Sequence, residues 1–384
     1  MILSNVNNTP LRPFESAVLD YLGEISAAIM KSSVGRQFPD LMSFAFYTRR
    51  ANLQRLASYL KLEEIRLGRG LCFHVAPANI PINFAFTWMF SLLAGNANVV
   101  RLPSKDFPQV DALLAIITTA LEKFPELKER NAFVKYPRTD NETTAAYCRM
   151  ADCRMIWGGD RTIAAIKALP AMPRCVDICF ADRYSVALID GGAVLAADET
   201  QIARLAEGFY NDTYLMDQNA CSSPQVILWE NDSLEARERF WGAVEEQAKR
   251  KYVLQDAVAV DKYTLFCEEA VRNGNIQSVL RNGNLLYRVQ LKSLLPDMIQ
   301  HRGKAGFFFE YVLKDRDELF KAVTEKFQTI TQFGIDVDVL REQIIAHNLR
   351  GIDRIVQIGQ AMNIGIIWDG YDLIRILSRR IDIQ

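Results

Sequence analysis

Cys221 is the residue of this sequence whose surroundings most suit chemistry. It stands in the run Asp217-Gln218-Asn219-Ala220-Cys221-Ser222-Ser223-Pro224, after a helical stretch and before a strand over 225–229. A thiol among small polar residues is accessible and easily ionised, and the thiolate is the reactive form. The sequence holds six other cysteines, Cys72, Cys148, Cys153, Cys175, Cys179 and Cys267. Cys72 falls in a strand, and Cys175 and Cys179 fall in an apolar run, so these read as small core residues. Cys148 and Cys153 have roughly the spacing of metal ligands, but no second Cys or His pair accompanies them, and no metal site is expected.

Two further segments carry possible chemistry. In Val75-Ala76-Pro77-Ala78-Asn79-Ile80-Pro81, an Asn is pinned between prolines at a strand end. Held in that way, its amide is suited to donate to an oxyanion. An Asn that closes a turn has the same appearance, and the segment alone favours the turn. In the second segment, Gly158-Gly159 joins a strand to a helix. Such glycines let backbone N–H groups approach a phosphate at the helix start, although the full GxGxxG pattern is missing.

These residues need a scaffold, and the hydrophobic pattern supplies one. The chain opens with a helix carrying Val18, Leu22, Ile25 and Ile29, and then a second helix that starts near Asp40 and runs through Leu60. From Leu71 strands and helices alternate: strand 71–76, helix 81–93, strand 98–102, helix 107–124, strand 132–136, helix 141–150, strand 154–157, helix 160–169. That alternation predicts right-handed βαβ crossovers and a parallel, doubly wound sheet. Ligands then bind beyond the carboxyl ends of the strands, at 77–81, 103–105 and 158–160. The second half continues with strand 185–189, a helix from Glu199 to about Tyr214, and strand 225–229. A strand-like 364–368 and the turn Asp369-Gly370 close the chain.

Composition narrows the function classes. Hydrophobic residues make up 49% and charged residues 24%, as in a packed globular protein, and 384 residues suit two domains. The formal net charge is −1 without a basic run, which argues against a nucleic-acid partner. Irregular cysteine spacing reads as reduced thiols in a cytoplasmic protein. The first residues lack a basic start and a long apolar run, so no signal peptide is expected. Residues 72–100 carry no Asp, Glu, Lys or Arg, but Pro77, Asn79, Pro81 and Asn83 make a membrane span costly. A buried strand, loop and helix are expected there instead.

In order and spacing the three segments resemble the aldehyde dehydrogenase superfamily, from about Leu71 to the C-terminus. Pro77, Asn79 and Pro81 match its Pro-x-Asn-x-Pro loop, Gly95-Asn96 and Arg101 its Gly-Asn and basic strand end, Gly158-Gly159 its glycine turn, and Asn219-Ala220-Cys221 its catalytic loop. Within it the chain resembles the acyl-CoA reductases of the LuxC family, the fatty-acid reductase component of bacterial bioluminescence. The wording Asn219-Ala220-Cys221-Ser222-Ser223-Pro224, the run His74–Pro81 and the ending Trp368-Asp369-Gly370-Tyr371-Asp372-Leu373 carry that likeness.

The resemblance implies an aldehyde-dehydrogenase-like α/β fold. A Rossmann-type cofactor domain with N-terminal helices would cover 1–185, and an α/β catalytic domain 186–384, with a cleft between them. It implies reduction of a fatty acyl-CoA or other acyl thioester to an aldehyde. Cys221 would be the nucleophile and Asn79 the oxyanion donor, in a homo-oligomer. NADPH is the expected cofactor, because the acid that follows the basic strand end by three positions is replaced by Ser104, with Arg101 and Lys105 beside it. Glu310, in Phe307-Phe308-Phe309-Glu310, is matched to the family's ribose-binding Glu, although Phe-Gly-Pro does not follow it. The run 179–185 lacks the Glu-Leu-Gly-Gly whose Glu activates water, and Asp182 is the one acid there.

Other readings stay open. One is an aldehyde dehydrogenase working in the oxidising direction. Another is a cofactor-free thiol hydrolase or acyltransferase pairing Cys221 with His301 or His347. That class has no need of two phosphate-approach loops, here Gly95-Asn96 and Gly158-Gly159. A third is a member that binds without catalysis, which Asn79 and Cys221 together disfavour.

Overall fold

The computed structural model describes residues 6–60, 65–77 and 80–383. Chain contacts group these into two compact units, one of residues 1–181 with 366–384 and one of residues 182–365.

The first unit opens with helix Ser16–Lys31, which buries Val18, Leu22, Ile25 and Ile29 as the periodicity requires. The single helix expected from Asp40 to Leu60 is instead two, Pro39–Tyr47 and Arg50–Leu60. Phe38 takes the N-cap position and Pro39 the first turn, so Asp40 sits inside the helix, where its charge still suits the dipole. The break is stabilised locally. The Thr48 hydroxyl donates to Phe44 O at 2.8 Å, and Asn52 Nδ2 donates to Tyr47 O at 2.7 Å.

Behind these helices lies a five-stranded sheet in the order Asn131–Val134, Ala97–Arg101, Leu71–Val75, Cys153–Trp157, Val176–Phe180. Every pairing is parallel, which is the doubly wound arrangement expected from the alternation. The central strand Leu71–Val75 is buried at all its positions, as a strand covered on both faces must be. The strand Val176–Phe180 is one that the alternation does not predict. Arg154 holds it in register, its Nε 2.6 Å from the Asp177 carboxylate directly opposite. The uncharged stretch 72–100 contains the buried strand Leu71–Val75, helix Asn83–Leu93 with most of its residues buried, and strand Ala97–Arg101. Among the described residues no helix is long and apolar enough to cross a membrane.

The chain end corrects the expected boundary at 185/186, which placed 186–384 together. Residues 366–384 belong with the first unit. Strand Ser378–Arg380 pairs antiparallel with Arg66–Gly68. Arg69 Nε donates to Ile376 O at 2.6 Å, and Asn96 Nδ2 donates to Leu377 O at 2.9 Å. These polar anchors join parts of the chain nearly 300 residues apart, a separation that hydrophobic pattern does not record.

The second unit is built on a seven-stranded sheet in the order Arg354–Gln357, Phe327–Phe333, Tyr184–Asp190, Pro224–Glu230, Phe307–Val312, Leu286–Leu291, Ile276–Asn282. Only the last pairing is antiparallel. Alternate residues feed two cores: Val186, Leu188, Val226 and Phe309 on one face, Ala187, Ile189, Ile227 and Phe308 on the other. Helix Glu199–Thr213 covers the latter and begins in a reciprocal capping box between Asp198 and Gln201.

Candidate active site

Cys221 lies where helix Glu199–Thr213 ends and the strand Pro224–Glu230 begins. A single 3-10 turn, Tyr214–Met216, is followed by two consecutive left-handed residues, Asp217 with φ 49° and Gln218 with φ 62°. That backbone is costly for non-glycine residues and needs strong local restraint. The restraint is visible. Gln218 is 2% exposed; its Nε2 donates to Phe307 O at 3.0 Å, and its Oε1 accepts the Gly306 N–H at 3.3 Å. Its own carbonyl accepts Gln225 Nε2 at 3.1 Å, and Gln225 Oε1 in turn accepts the Gly303 N–H at 2.9 Å. A Cβ at Gly303 would stand 1.6 Å from Phe307 O, so only glycine lets this loop close on the Gln218 turn. The Tyr252 hydroxyl donates to the Asp217 carboxylate.

The result is a half-buried thiol on a rigid platform. Ser185 Oγ donates to Cys221 O at 2.7 Å and accepts the Thr329 N–H at 3.3 Å. Gln328 Nε2 donates to the Cys221 sulfur at 3.4 Å. Thr329 Oγ1 donates to Gln328 Oε1 at 3.3 Å, which orients that amide. On the far side of the loop Ser223 Oγ donates to Asp212 O at 2.7 Å. The Asp212 carboxylate accepts the N–H groups of Gly359 at 2.6 Å and Ala361 at 2.9 Å. Burial pushes its pKa up to about 6.

The other thiols have different surroundings. Burial raises the pKa of Cys148 and Cys179, and that of Cys175 to about 11, which keeps them protonated near neutrality. Among the described residues no three of His, Cys, Asp and Glu converge as metal ligands. The histidines are engaged elsewhere: His74 with Asn98, His301 with Glu269 at 2.7 Å, and His347 with Asp317 at 3.4 Å. His301 and Glu269 line a cavity of about 450 Å³ together with Tyr184, Leu291, Met298 and Phe309. Asp182, the acid noted in 179–185, pairs with Arg302 at 3.0 Å.

The first unit gathers the expected cofactor residues at one edge. Arg101 and Trp157 end parallel strands that flank Leu71–Val75, so Arg101, Ser104, Lys105, Gly158 and Gly159 all follow carboxyl ends. A Cβ at Gly159 would meet nothing within 4 Å, so the space above the start of helix Asp160–Lys167 is open. The buried Trp157 Nε1 has no hydrogen-bond acceptor. An open helix start after a glycine turn fits a phosphate group. The Arg101 guanidinium lies 4.6 Å from the Tyr136 ring centroid, and Lys105 Nζ lies 5.3 Å from that of Phe107.

Two expectations change. Gly95-Asn96 precedes its strand, at the opposite edge, and Asn96 is fully buried with Oδ1 accepting the Arg69 N–H at 2.6 Å, so it approaches no phosphate there. Glu310 is 2% exposed; Oε2 accepts from Trp229 at 3.0 Å and Trp241 at 2.8 Å, and Oε1 pairs with Arg288 at 2.7 Å. With both oxygens committed inside the second unit, it is a core ion pair and not a ribose ligand. Asn79 lies outside the described residues.

A family model described as acyl-CoA reductase (LuxC) matches residues 43–281, more than half of the chain. The chain belongs to the acyl-CoA reductase (LuxC) family. No curated protein matches it. Solved structures similar to this LuxC-family chain are aldehyde dehydrogenases by fold. Aldehyde dehydrogenase 21 of Physcomitrella patens, in complex with the reaction product succinate, has a TM-score of 0.65 at 10% identity, over 94% of this chain and 84% of that one. An NAD-dependent benzaldehyde dehydrogenase of Corynebacterium glutamicum has 0.59 at 12%, over 90% and 83%. A proline utilization A of Bradyrhizobium japonicum has 0.64 at 14%, over 93% of this chain but 40% of that one. The chain therefore spans about two fifths of that longer protein.

The LuxC-family match contains Cys221, Arg101, Ser104, Lys105 and the glycine turn. Ser185, Asp212, Gln225 and Gln328 are neighbours of the Cys221 loop that the motifs do not single out.

Proposed function

We propose that this chain reduces a fatty acyl-CoA, or a similar acyl thioester, to its aldehyde with NADPH through an acyl thioester on Cys221. Family membership supports the substrate class, and the restrained Cys221 loop is the observation that carries the residue assignment. The Cys221 thiolate adds to the thioester carbonyl; a C–S bond forms and the π pair moves to oxygen. We assign the Asn79 amide and the Cys221 backbone N–H to that oxyanion. The pair returns, the C–S bond to CoA breaks, and CoA leaves as thiolate. The Gly158-Gly159 turn, Arg101, Ser104 and Lys105 would hold the cofactor, which when bound in reduced form supplies hydride for the acyl carbon. Cys221 then leaves the hemithioacetal as thiolate and the aldehyde is released. The pairing of Asp182 with Arg302 counts against a water-activating base, and so favours reduction over hydrolysis.

Incubation with acyl-CoA in the absence of cofactor is expected to place one acyl group on the peptide containing Cys221, detected by mass spectrometry. Cys221→Ser is expected to abolish both the adduct and acyl-CoA-dependent oxidation of NADPH. An adduct confined to another cysteine, or full activity in Cys221→Ser, would overturn the assignment.

A further inference from the structure

We infer that Gln328 is a catalytic residue of this reaction, its side-chain N–H donating to the Cys221 sulfur and favouring the thiolate. The inference rests on Cys221 being the nucleophile. Gln328 Nε2 is 3.4 Å from that sulfur, an ordinary distance for a hydrogen bond to sulfur. Two features make the contact directional. Thr329 Oγ1 donates to Gln328 Oε1, so the amide oxygen is turned away from the thiol and the N–H toward it. The pairing of strand Phe327–Phe333 with Tyr184–Asp190 also shifts register between Phe327 and Ile330, and such an irregularity re-aims a side chain. Gln328 is 2% exposed, and a donor removed from water interacts more strongly with an anion than one that is solvated.

Charged groups near this platform have partners, Arg183 pairing with Asp353 and donating to Phe327 O at 2.9 Å. Asp217 accepts from Tyr252, Asp212 from Gly359 and Ala361, and Asp182 pairs with Arg302. A neutral amide therefore acts here without introducing a second titrating group. The attacking sulfur carries its charge until the bond to the acyl carbon forms, and the Gln328 N–H stays on the amide throughout.

A hydrogen bond to an ionised group is expected to lower the thiol pKa by about one to two units. Each unit raises the thiolate fraction at a pH below the midpoint roughly tenfold, while intrinsic nucleophilicity falls only about threefold. Removal of the donor should thus slow Cys221 at neutral pH and speed it once the thiol is fully ionised. A residue that only braced the loop would not produce that crossover.

The test is alkylation of full-length protein by iodoacetamide from about pH 5 to pH 10, read on the Cys221 peptide by mass spectrometry. Gln328→Leu is expected to raise the midpoint by about one to two units and to increase the high-pH plateau rate about threefold or more. Gln328→Glu, which keeps the shape but places an acceptor and a charge beside the sulfur, is expected to raise it at least as far. It also guards against a folding defect in the leucine variant. Midpoints and plateaus coincident with wild type in both variants, while wild-type Cys221 still takes an acyl group, would overturn the role of Gln328 and leave the nucleophile standing. Wild type that takes no acyl group at Cys221 would overturn the reading beneath it.

Discussion

Ser185 Oγ lies 2.7 Å from Cys221 O, so the second unit's first strand directly holds the residue that follows the left-handed turn. The same oxygen accepts the Thr329 N–H, and Ser185 is fully buried. Ser185→Ala removes a hydroxyl that bonds two backbone groups, each hydrogen bond worth about 0.5–1.5 kcal/mol. The expected outcome is a stability loss of that order in urea unfolding. Acylation of Cys221 should also slow by roughly tenfold to a hundredfold, because small displacements of a nucleophile are expensive. Wild-type acylation in a destabilised variant would show that Ser185 serves the fold alone.

Glu310 gives the converse case, a residue that looks functional in sequence and is structural in three dimensions. Its partner Arg288 is buried, with 4% of its side chain exposed, and is shared with the more exposed Glu238. Glu310→Gln removes the charge opposite a desolvated guanidinium and is expected to cost about 3 kcal/mol. The KM for NADPH should stay at the wild-type value at temperatures where the variant is folded. A large rise in that KM without loss of stability would restore Glu310 to the cofactor site.

Asp212 makes stability depend on pH. Burial raises its pKa from 3.8 to about 6, so between those values the folded state binds a proton that the unfolded state has released. Its contribution to stability is therefore full below about pH 4 and is lost as pH rises through about 6. Relative to Asp212→Asn, wild type should lose up to about 3 kcal/mol of unfolding free energy between those limits. Parallel stability-versus-pH curves for the two proteins would exclude this titration.

The sequence made some of this legible and left the rest hidden, for identifiable reasons. The parallel sheet of the first unit could be read from buried apolar strands alternating with helices, because both signals are local. Cys221 and Gly158-Gly159 stood out because their types are unusual in their settings. Gln328 and Ser185 did not, since each acts on Cys221 through contacts across 107 and 36 residues of chain. Val176–Phe180 was missed because Arg154 and Asp177 specify it as a pair, and neither residue alone marks a strand. The return of the C-terminus rests on Arg69 and Asn96 reaching main-chain carbonyls, contacts with no motif at all.

On the proposed function, cofactor choice would turn on the end of strand Ala97–Arg101. A carboxylate three positions beyond Arg101 would accept hydrogen bonds from a free ribose 2′-hydroxyl and repel a 2′-phosphate. Ser104 stands there, exposed, with Lys105 next to it. The Arg101 guanidinium is stacked 4.6 Å from the Tyr136 ring, which fixes its plane while leaving its edges available as donors. A 2′-phosphate would receive charge-assisted contacts from Arg101 and Lys105 and a hydroxyl donor from Ser104. Wild type is expected to show a higher kcat/KM with NADPH than with NADH. Ser104→Glu should move the ratio toward NADH by about tenfold, which corresponds to about 1.4 kcal/mol. Arg101→Ala should weaken NADPH far more than NADH, because only the former carries the additional phosphate. Wild type that prefers NADH, or a Ser104→Glu variant with an unchanged ratio, would remove this strand end from cofactor discrimination.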